Sequence, residues 1–150
     1  MIDYEVKRKH FSICKLISWE DVIDKLSYEF SQKTHKTIIA DLLNPPTFVM
    51  HTNYLPNSIG DAYKEVCNSL ESNMEMHIYT SLGSQSDTFG RHKDKDDVII
   101  VQSIGQVEYK FDDGCSFVLH PGDSLFIKRG VYHNPIVLGP RVTLSFSWLN

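Results

Sequence analysis

Residues 97–133, DVIIVQSIGQVEYKFDDGCSFVLHPGDSLFIKRGVYH, read as short strands cut by tight turns. Apolar or alternating runs cover Asp97 to Ile104, Gln106 to Phe111, Cys115 to Leu119 and Ser124 to Ile127. They are separated by Gly105, Asp112-Asp113-Gly114, His120-Pro121-Gly122-Asp123 and Lys128-Arg129-Gly130, residues that supply the backbone angles needed to reverse a chain. Runs this short, broken about every ten residues, predict a small sandwich, barrel or jelly roll. Working outward, Met74–Ser81 adds a strand on one side. Tyr132–Val137 and Arg141–Trp148, parted by Leu138-Gly139-Pro140, add two on the other.

Upstream of Met74 the pattern changes. Ser18 to Phe30 places Trp19, Val22, Ile23, Leu26 and Phe30 at helical spacing, with Ser18 as N-cap and Asp21 completing a capping box. A second amphipathic helix is predicted from about Ile59 to Leu70, where Ser58 and Asp61 repeat the capping pattern. Between them, Thr37 to Ala40 and Phe48 to His51 read as short strands around the breaker Asn44-Pro45-Pro46. The expectation is one mainly β domain over 1–150, with 1–73 as a mixed α/β buttress and 74–150 as the barrel core.

Composition narrows the class. The chain has 150 residues, 41% of them hydrophobic, with 15 Lys+Arg against 19 Asp+Glu and a net charge of −4. A domain of that size buries enough surface to need no disulfide or metal staple, so a metal here would serve chemistry. The pI near 5.9 argues against nucleic acid as the main partner, because phosphate binding needs a basic face. Cys14, Cys67 and Cys115 are odd in number and unpaired by any CxxC spacing, which reads as reduced thiols in the cytoplasm. No apolar run approaches the roughly 20 residues that span a bilayer, and the N-terminus lacks the pattern of a secretory leader. Lys7-Arg8-Lys9 reads as solvated surface.

The densest chemistry is Gly90-Arg91-His92-Lys93-Asp94-Lys95-Asp96-Asp97. In extended chain, residues i and i+2 face the same way, so His92 and Asp94 can point into the barrel mouth while Lys93 points away. His133 follows the turn at Lys128-Arg129-Gly130, at the start of a later strand. Two histidines and one carboxylate on one face of a small barrel form the triad that holds non-heme Fe(II) and leaves positions open for oxygen and co-substrate.

The run from His92 and Asp94 through Val98 to Gly105, followed by Leu119, Pro121-Gly122-Asp123, Gly130 and His133, resembles the jumonji-C hydroxylases. These are iron(II)- and 2-oxoglutarate-dependent oxygenases built on the cupin-type double-stranded β-helix, a jelly-roll barrel. The resemblance covers Met74 to Trp148. Other cupins carry a second histidine where Asp94 stands, and that difference favours the oxygenases. The resemblance implies Fe(II) on His92, Asp94 and His133, 2-oxoglutarate as co-substrate, and hydroxylation or demethylation of a small molecule or a protein side chain. The family often dimerises through elements outside the barrel, so a homodimer built on the amphipathic helices is one expectation, with the oligomeric state left open.

The family's usual lysine for the far carboxylate of 2-oxoglutarate would fall at Val107. Arg141 and Thr143 instead resemble the Arg-x-Ser/Thr clamp that other 2-oxoglutarate oxygenases place after the distal histidine. If Arg141 points outward, Lys110 or Arg129 is the alternative cation. Tyr79 shares a strand face with His77 and Ser81 and is a candidate co-substrate contact. Gln102 and Tyr109 are interior candidates. His10, His35, His51 and His120 have no paired ligand nearby and are read as structural or exposed. Two other functions fit the same residues: a metal cupin enzyme that does not use 2-oxoglutarate, and a non-catalytic cupin module that binds a ligand.

Overall fold

The computed structural model describes residues 2–34, 36–38 and 44–149. Among them, seven antiparallel strands form a large sheet: β1 (Tyr4–Lys7), β2 (Lys36–Ile38), β3 (Thr47–Met50), β4 (Met74–Ser81), β5 (Val98–Ile104), β8 (Ser124–Ile127) and β10 (Arg141–Trp148). Their spatial order is β1-β8-β5-β10-β4-β3-β2. A second sheet of three strands, ordered β7-β6-β9, holds β6 (Val107–Phe111), β7 (Ser116–Leu119) and β9 (His133–Val137). The seven strands expected after Met74 are all present, three of them with the same ends. The Thr37 to Ala40 strand is seen as Lys36–Ile38, and Ile39, Ala40 and His35 lie outside the described residues. Strand β1 was not foreseen.

Between the sheets, Val98, Ile100, Leu125 and Ile127 pack on Val107, Tyr109, Phe111 and Leu119. A larger core lies on the other side of the large sheet. There Met74, Met76, Ile78, Val142, Leu144 and Phe146 meet helix α1 (Trp19–Gln32), helix α2 (Ser58–Leu70) and the 3-10 turn Cys14–Leu16. Strand alternation sends the other side chains of β4 and β10 inward. Register pairs Glu75, His77, Tyr79 and Ser81 with Ser147, Ser145, Thr143 and Arg141.

The helix starts differ from the capping pattern in one respect. Ser18 Oγ accepts the Asp21 N–H at 3.1 Å, as expected. The Ser18 backbone N–H does not go to the Asp21 carboxylate but to Ser58 Oγ at 3.2 Å, and that carboxylate accepts both the backbone N–H and the hydroxyl of Ser58. Asn57 is therefore the α2 N-cap, and its own side chain caps nothing. One carboxylate stabilises the positive end of α2 from outside that helix, locking the two helices together. Gly105 sits at φ +73°, and a Cβ there would lie 2.2 Å from the Pro140 carbonyl oxygen, so only glycine lets β10 start beside the β5–β6 turn. No described helix is long and apolar enough to cross a membrane.

Candidate metal centre

The loop before β5 is fastened to the start of β9. His92 and His133 exchange backbone hydrogen bonds of 2.9 and 2.8 Å, and Gly130 N–H donates to the Asp94 carbonyl at 2.9 Å. Alternation then does what the sequence predicts. Arg91 and Lys93 turn out over the Tyr132 ring, at 3.8 and 5.2 Å from its centroid, and His92 and Asp94 turn in.

Each imidazole is oriented by its own backbone. His92 Nδ1 lies 2.8 Å from the Gly90 carbonyl and His133 Nδ1 lies 3.0 Å from that of Val131. A carbonyl accepts only, so Nδ1 carries the proton on both rings and Nε2 presents its lone pair, the form that binds a metal. Both Nε2 atoms face Asp94: His133 at 3.3 Å from Oδ2 and His92 at 3.9 Å from Oδ1. One ligand atom from each of the three residues falls within 4.8 Å of the other two. Ligands about 2.1 Å from a shared ion and at right angles would stand about 3.0 Å apart, with ring centres near 4.5 Å. The two ring centres are 4.4 Å apart, close to that spacing, and the Asp94 carboxylate would draw nearer to both rings to close the set on an ion. Burial alone would raise the Asp94 carboxyl, but when the facing rings are also protonated at Nε2 their hydrogen bond and charge, His133 first, hold it below the ordinary range.

The triad opens on a pocket of about 420 Å³, a volume that includes open solvent at its mouth, lined also by Tyr79, Phe89, Tyr109, Pro135, Arg141 and Ser145. Arg141 is 2% exposed. Its Nε donates to Ser81 Oγ at 2.8 Å, and its guanidinium carbon lies 5.7 Å from the Tyr79 ring centre. Among the described residues no carboxylate pairs with it. Burial pulls the guanidinium below its ordinary value, partly offset by Tyr109 and Tyr79. Tyr79 is pushed up to about 12, first by burial and then by Asp94, so its hydroxyl stays protonated.

Thr143 shares the strand face of Arg141 but is fully buried, and its hydroxyl donates to Gln102 Oε1 at 2.7 Å. Gln102 in turn donates to the Ile104 and Gly105 carbonyls. Ser145, one alternation further along, is the β10 hydroxyl that lines the cavity. Lys110 is exposed, and Arg129 lies by Asp97 at 3.9 Å, outside the cavity. Phe89 and Ser145 were not singled out from sequence; Ser145 follows from the same i+2 rule that selects Arg141 and Thr143.

No family model matches the chain, and no curated protein matches it in sequence. Solved structures do match. A Pseudomonas putida prolyl-4-hydroxylase superposes with a TM-score of 0.61 at 12% identity, over 97% of this chain and 91% of that one. Escherichia coli YcfD, described as a ribosomal oxygenase, gives 0.67 at 13% identity over 99% of this chain, which spans 50% of YcfD. A cupin superfamily protein from Desulfitobacterium hafniense gives 0.52 at 12% identity, covering 75% of this chain and 84% of its own. The fold is a cupin jelly roll. At these identities the likeness describes architecture, and function has to be argued from the site.

Proposed function

We propose that this cupin is an iron(II)- and 2-oxoglutarate-dependent oxygenase that hydroxylates, or by hydroxylation demethylates, a small molecule or a protein side chain. The observation that carries the reading is the convergence of His92, Asp94 and His133 on a cavity whose wall also holds Arg141, a buried cation with no carboxylate partner among the described residues. Two neutral imidazoles and one carboxylate are the donor set of non-heme Fe(II). Bound there, iron and 2-oxoglutarate would supply the chemistry by which substrate C–H, O₂ and 2-oxoglutarate give C–OH, succinate and CO₂.

The chain's own residues prepare that chemistry. The Gly90 and Val131 carbonyls hold both rings in the metal-binding tautomer, and the reciprocal backbone bonds keep the ring centres at the spacing of adjacent ligands. Arg141 offers its terminal nitrogens to the far carboxylate of the co-substrate, since Nε is already taken by Ser81. Tyr79, protonated, lines the same wall as a hydrogen-bond donor that adds no charge. Tyr109, Pro135 and Ile100 exclude water from the wall, and half-exposed Phe89 stands at the entrance, edge-on to His92 with ring centres 5.6 Å apart. Two structures of like fold are described as a prolyl-4-hydroxylase and a ribosomal oxygenase, so this architecture is one that carries oxygenase sites.

Anaerobic titration with Fe(II) and then 2-oxoglutarate tests the reading. A weak visible charge-transfer band is expected in the natural protein and is absent from His133→Ala. A folded, iron-loaded protein that shows no band and yields no succinate overturns it.

A further inference from the structure

His51 and His77 belong to neither the triad nor the cavity lining, although His77 is near enough to Asp94 for their charges to interact. Strands β3 and β4 pair Met50 with Ile78, so one residue on, His51 stands opposite His77. Their ring centres are 5.1 Å apart at an interplanar angle of 85°. Each ring has one nitrogen on a carboxylate: His51 Nδ1 is 3.0 Å from Glu29 Oε1, and His77 Nε2 is 3.3 Å from Glu75 Oε1. His51 Nε2 and His77 Nδ1 are left without a hydrogen-bond partner among the described residues.

A carboxylate behind the distal nitrogen is how proteins orient metal-binding imidazoles and raise their basicity. Glu29 is well built for that task. Its carboxylate is 0% exposed and is held by the His51 backbone N–H at 3.1 Å, the Thr34 hydroxyl at 3.3 Å and Lys25 at 3.9 Å. A buried carboxylate is costly, and this one aims a single imidazole. Spacing agrees as well. Two imidazoles on one tetrahedral ion, each nitrogen about 2.0 Å from it, place their ring centres about 5.2 Å apart. We propose that His51 Nε2 and His77 Nδ1 form a second cation site, one that takes Zn(II), with solvent completing the tetrahedron. Imidazole donors suit Zn(II) far better than Mg(II) or Ca(II). Burial first, and then the neighbouring His51, hold His77 below the ordinary histidine value, so it meets the ion as a neutral ligand near pH 7.

The site stands independently of the oxygenase reading, and its test removes the triad. A His92→Ala/His133→Ala variant is titrated with Zn(II) by calorimetry and by long-range ¹H–¹⁵N spectra of the imidazoles. One equivalent should bind, with the ligation shifts at His51 Nε2 and His77 Nδ1. Adding His77→Gln, on a ring 37% exposed and outside both cores, should abolish it while circular dichroism stays unchanged. His51→Gln should do the same. The proposal fails if the triad-free protein takes up no Zn(II), binds it without shifts at those two nitrogens, or still binds it after His77→Gln. A protein without the 2-oxoglutarate band that still passes this test loses the oxygenase reading alone.

Discussion

Replacing Arg141 with methionine separates an arginine that waits for a ligand from one that holds the barrel together. The guanidinium is 2% exposed, bonds Ser81 through Nε and faces no carboxylate among the described residues. A charge so placed burdens the free protein with desolvation that little offsets. Methionine fills a similar length without charge. The exchange removes the desolvation cost and forfeits one charge-assisted hydrogen bond, about 1.5–3 kcal/mol. Packed hydrophobes in place of buried charges have proved stabilising by about 1–4 kcal/mol. The net expectation is a gain of about 1 kcal/mol, or about 3 °C in Tm for a chain of this length.

Ligand binding should move the other way. Truncating one partner of a buried guanidinium–carboxylate contact costs about 2–5 kcal/mol, a loss of roughly 30- to 5,000-fold in Kd. Thermal scans with Mn(II), a redox-inert stand-in for iron, read both effects at once. With 2-oxoglutarate at about 100 times its Kd, the natural protein should gain about 2.7 kcal/mol, or about 8 °C. Arg141→Met should start higher and hardly move. A variant that starts lower and still gains the full ligand shift refutes the assignment.

Three further substitutions test the frame around the site. Glu29→Ala leaves Lys25, 0% exposed, with only the Tyr54 carbonyl and Asn53 as partners among the described residues, and should cost about 3–5 kcal/mol by thermal scan; Lys25→Met/Glu29→Leu should recover most of it, and a near-neutral Glu29→Ala would contradict the argument. The Asp123 carboxylate accepts the His120 and Lys9 N–H groups at 2.9 Å and Arg8 at 2.8 Å; burial would raise its pKa, but these contacts win and lower it. Its stabilisation is therefore full above the unfolded value of about 3.9 and lost as pH falls through the lower folded value, so Asp123→Asn should flatten the acid limb of a stability–pH curve, and equal slopes would refute this. Thr80 Oγ1 is buried with no partner among the described residues, on the apolar outer face of β4, so Thr80→Val should add about 1 kcal/mol, and a drop in Tm would show an unrecognised partner.

How much of this was legible in the sequence depended on how local each cause is. β4, β8 and β10 match the expected ends residue for residue, because alternation and the flanking turn residues lie within the segment itself. β1 escaped because its four residues pair with β8, from Tyr4 opposite Ile127 to Lys7 opposite Ser124, a choice made by tertiary contact. The α2 start was misread for the same reason, since its cap is Asp21 of the other helix. Within the site, His92 with Asp94 and Arg141 with Thr143 follow from the two-residue period. That Thr143 is taken by Gln102, or that Phe89 meets His92, depends on which strands lie side by side and on a register shift between Val142 and Thr143. The Glu29–His51 pair joins a helix to a strand end, and no spacing rule links them.

The same alternation explains why a small barrel needs helices at all. A closed barrel of this size ordinarily fills its interior with aliphatic side chains. Here the two central strands send Glu75, His77, Tyr79 and Ser81, and Arg141, Thr143, Ser145 and Ser147, to the inner side. Those eight positions contribute no aliphatic group to the interior, and aliphatic packing there falls to β5, β6, β7 and β8. The apolar burial that β4 and β10 require must then come from their outer side. Met76, Ile78, Leu144 and Phe146 are each 0% exposed because α1, α2 and the Phe11 to Ile17 segment cover them. At about 1.5–3 kcal/mol per large buried side chain, that covering supplies what a polar interior withholds. The helices thus make room for the triad and Arg141 without touching them: moving the core of the central strands outside the barrel is the physical condition for putting a charged, metal-binding cavity inside it.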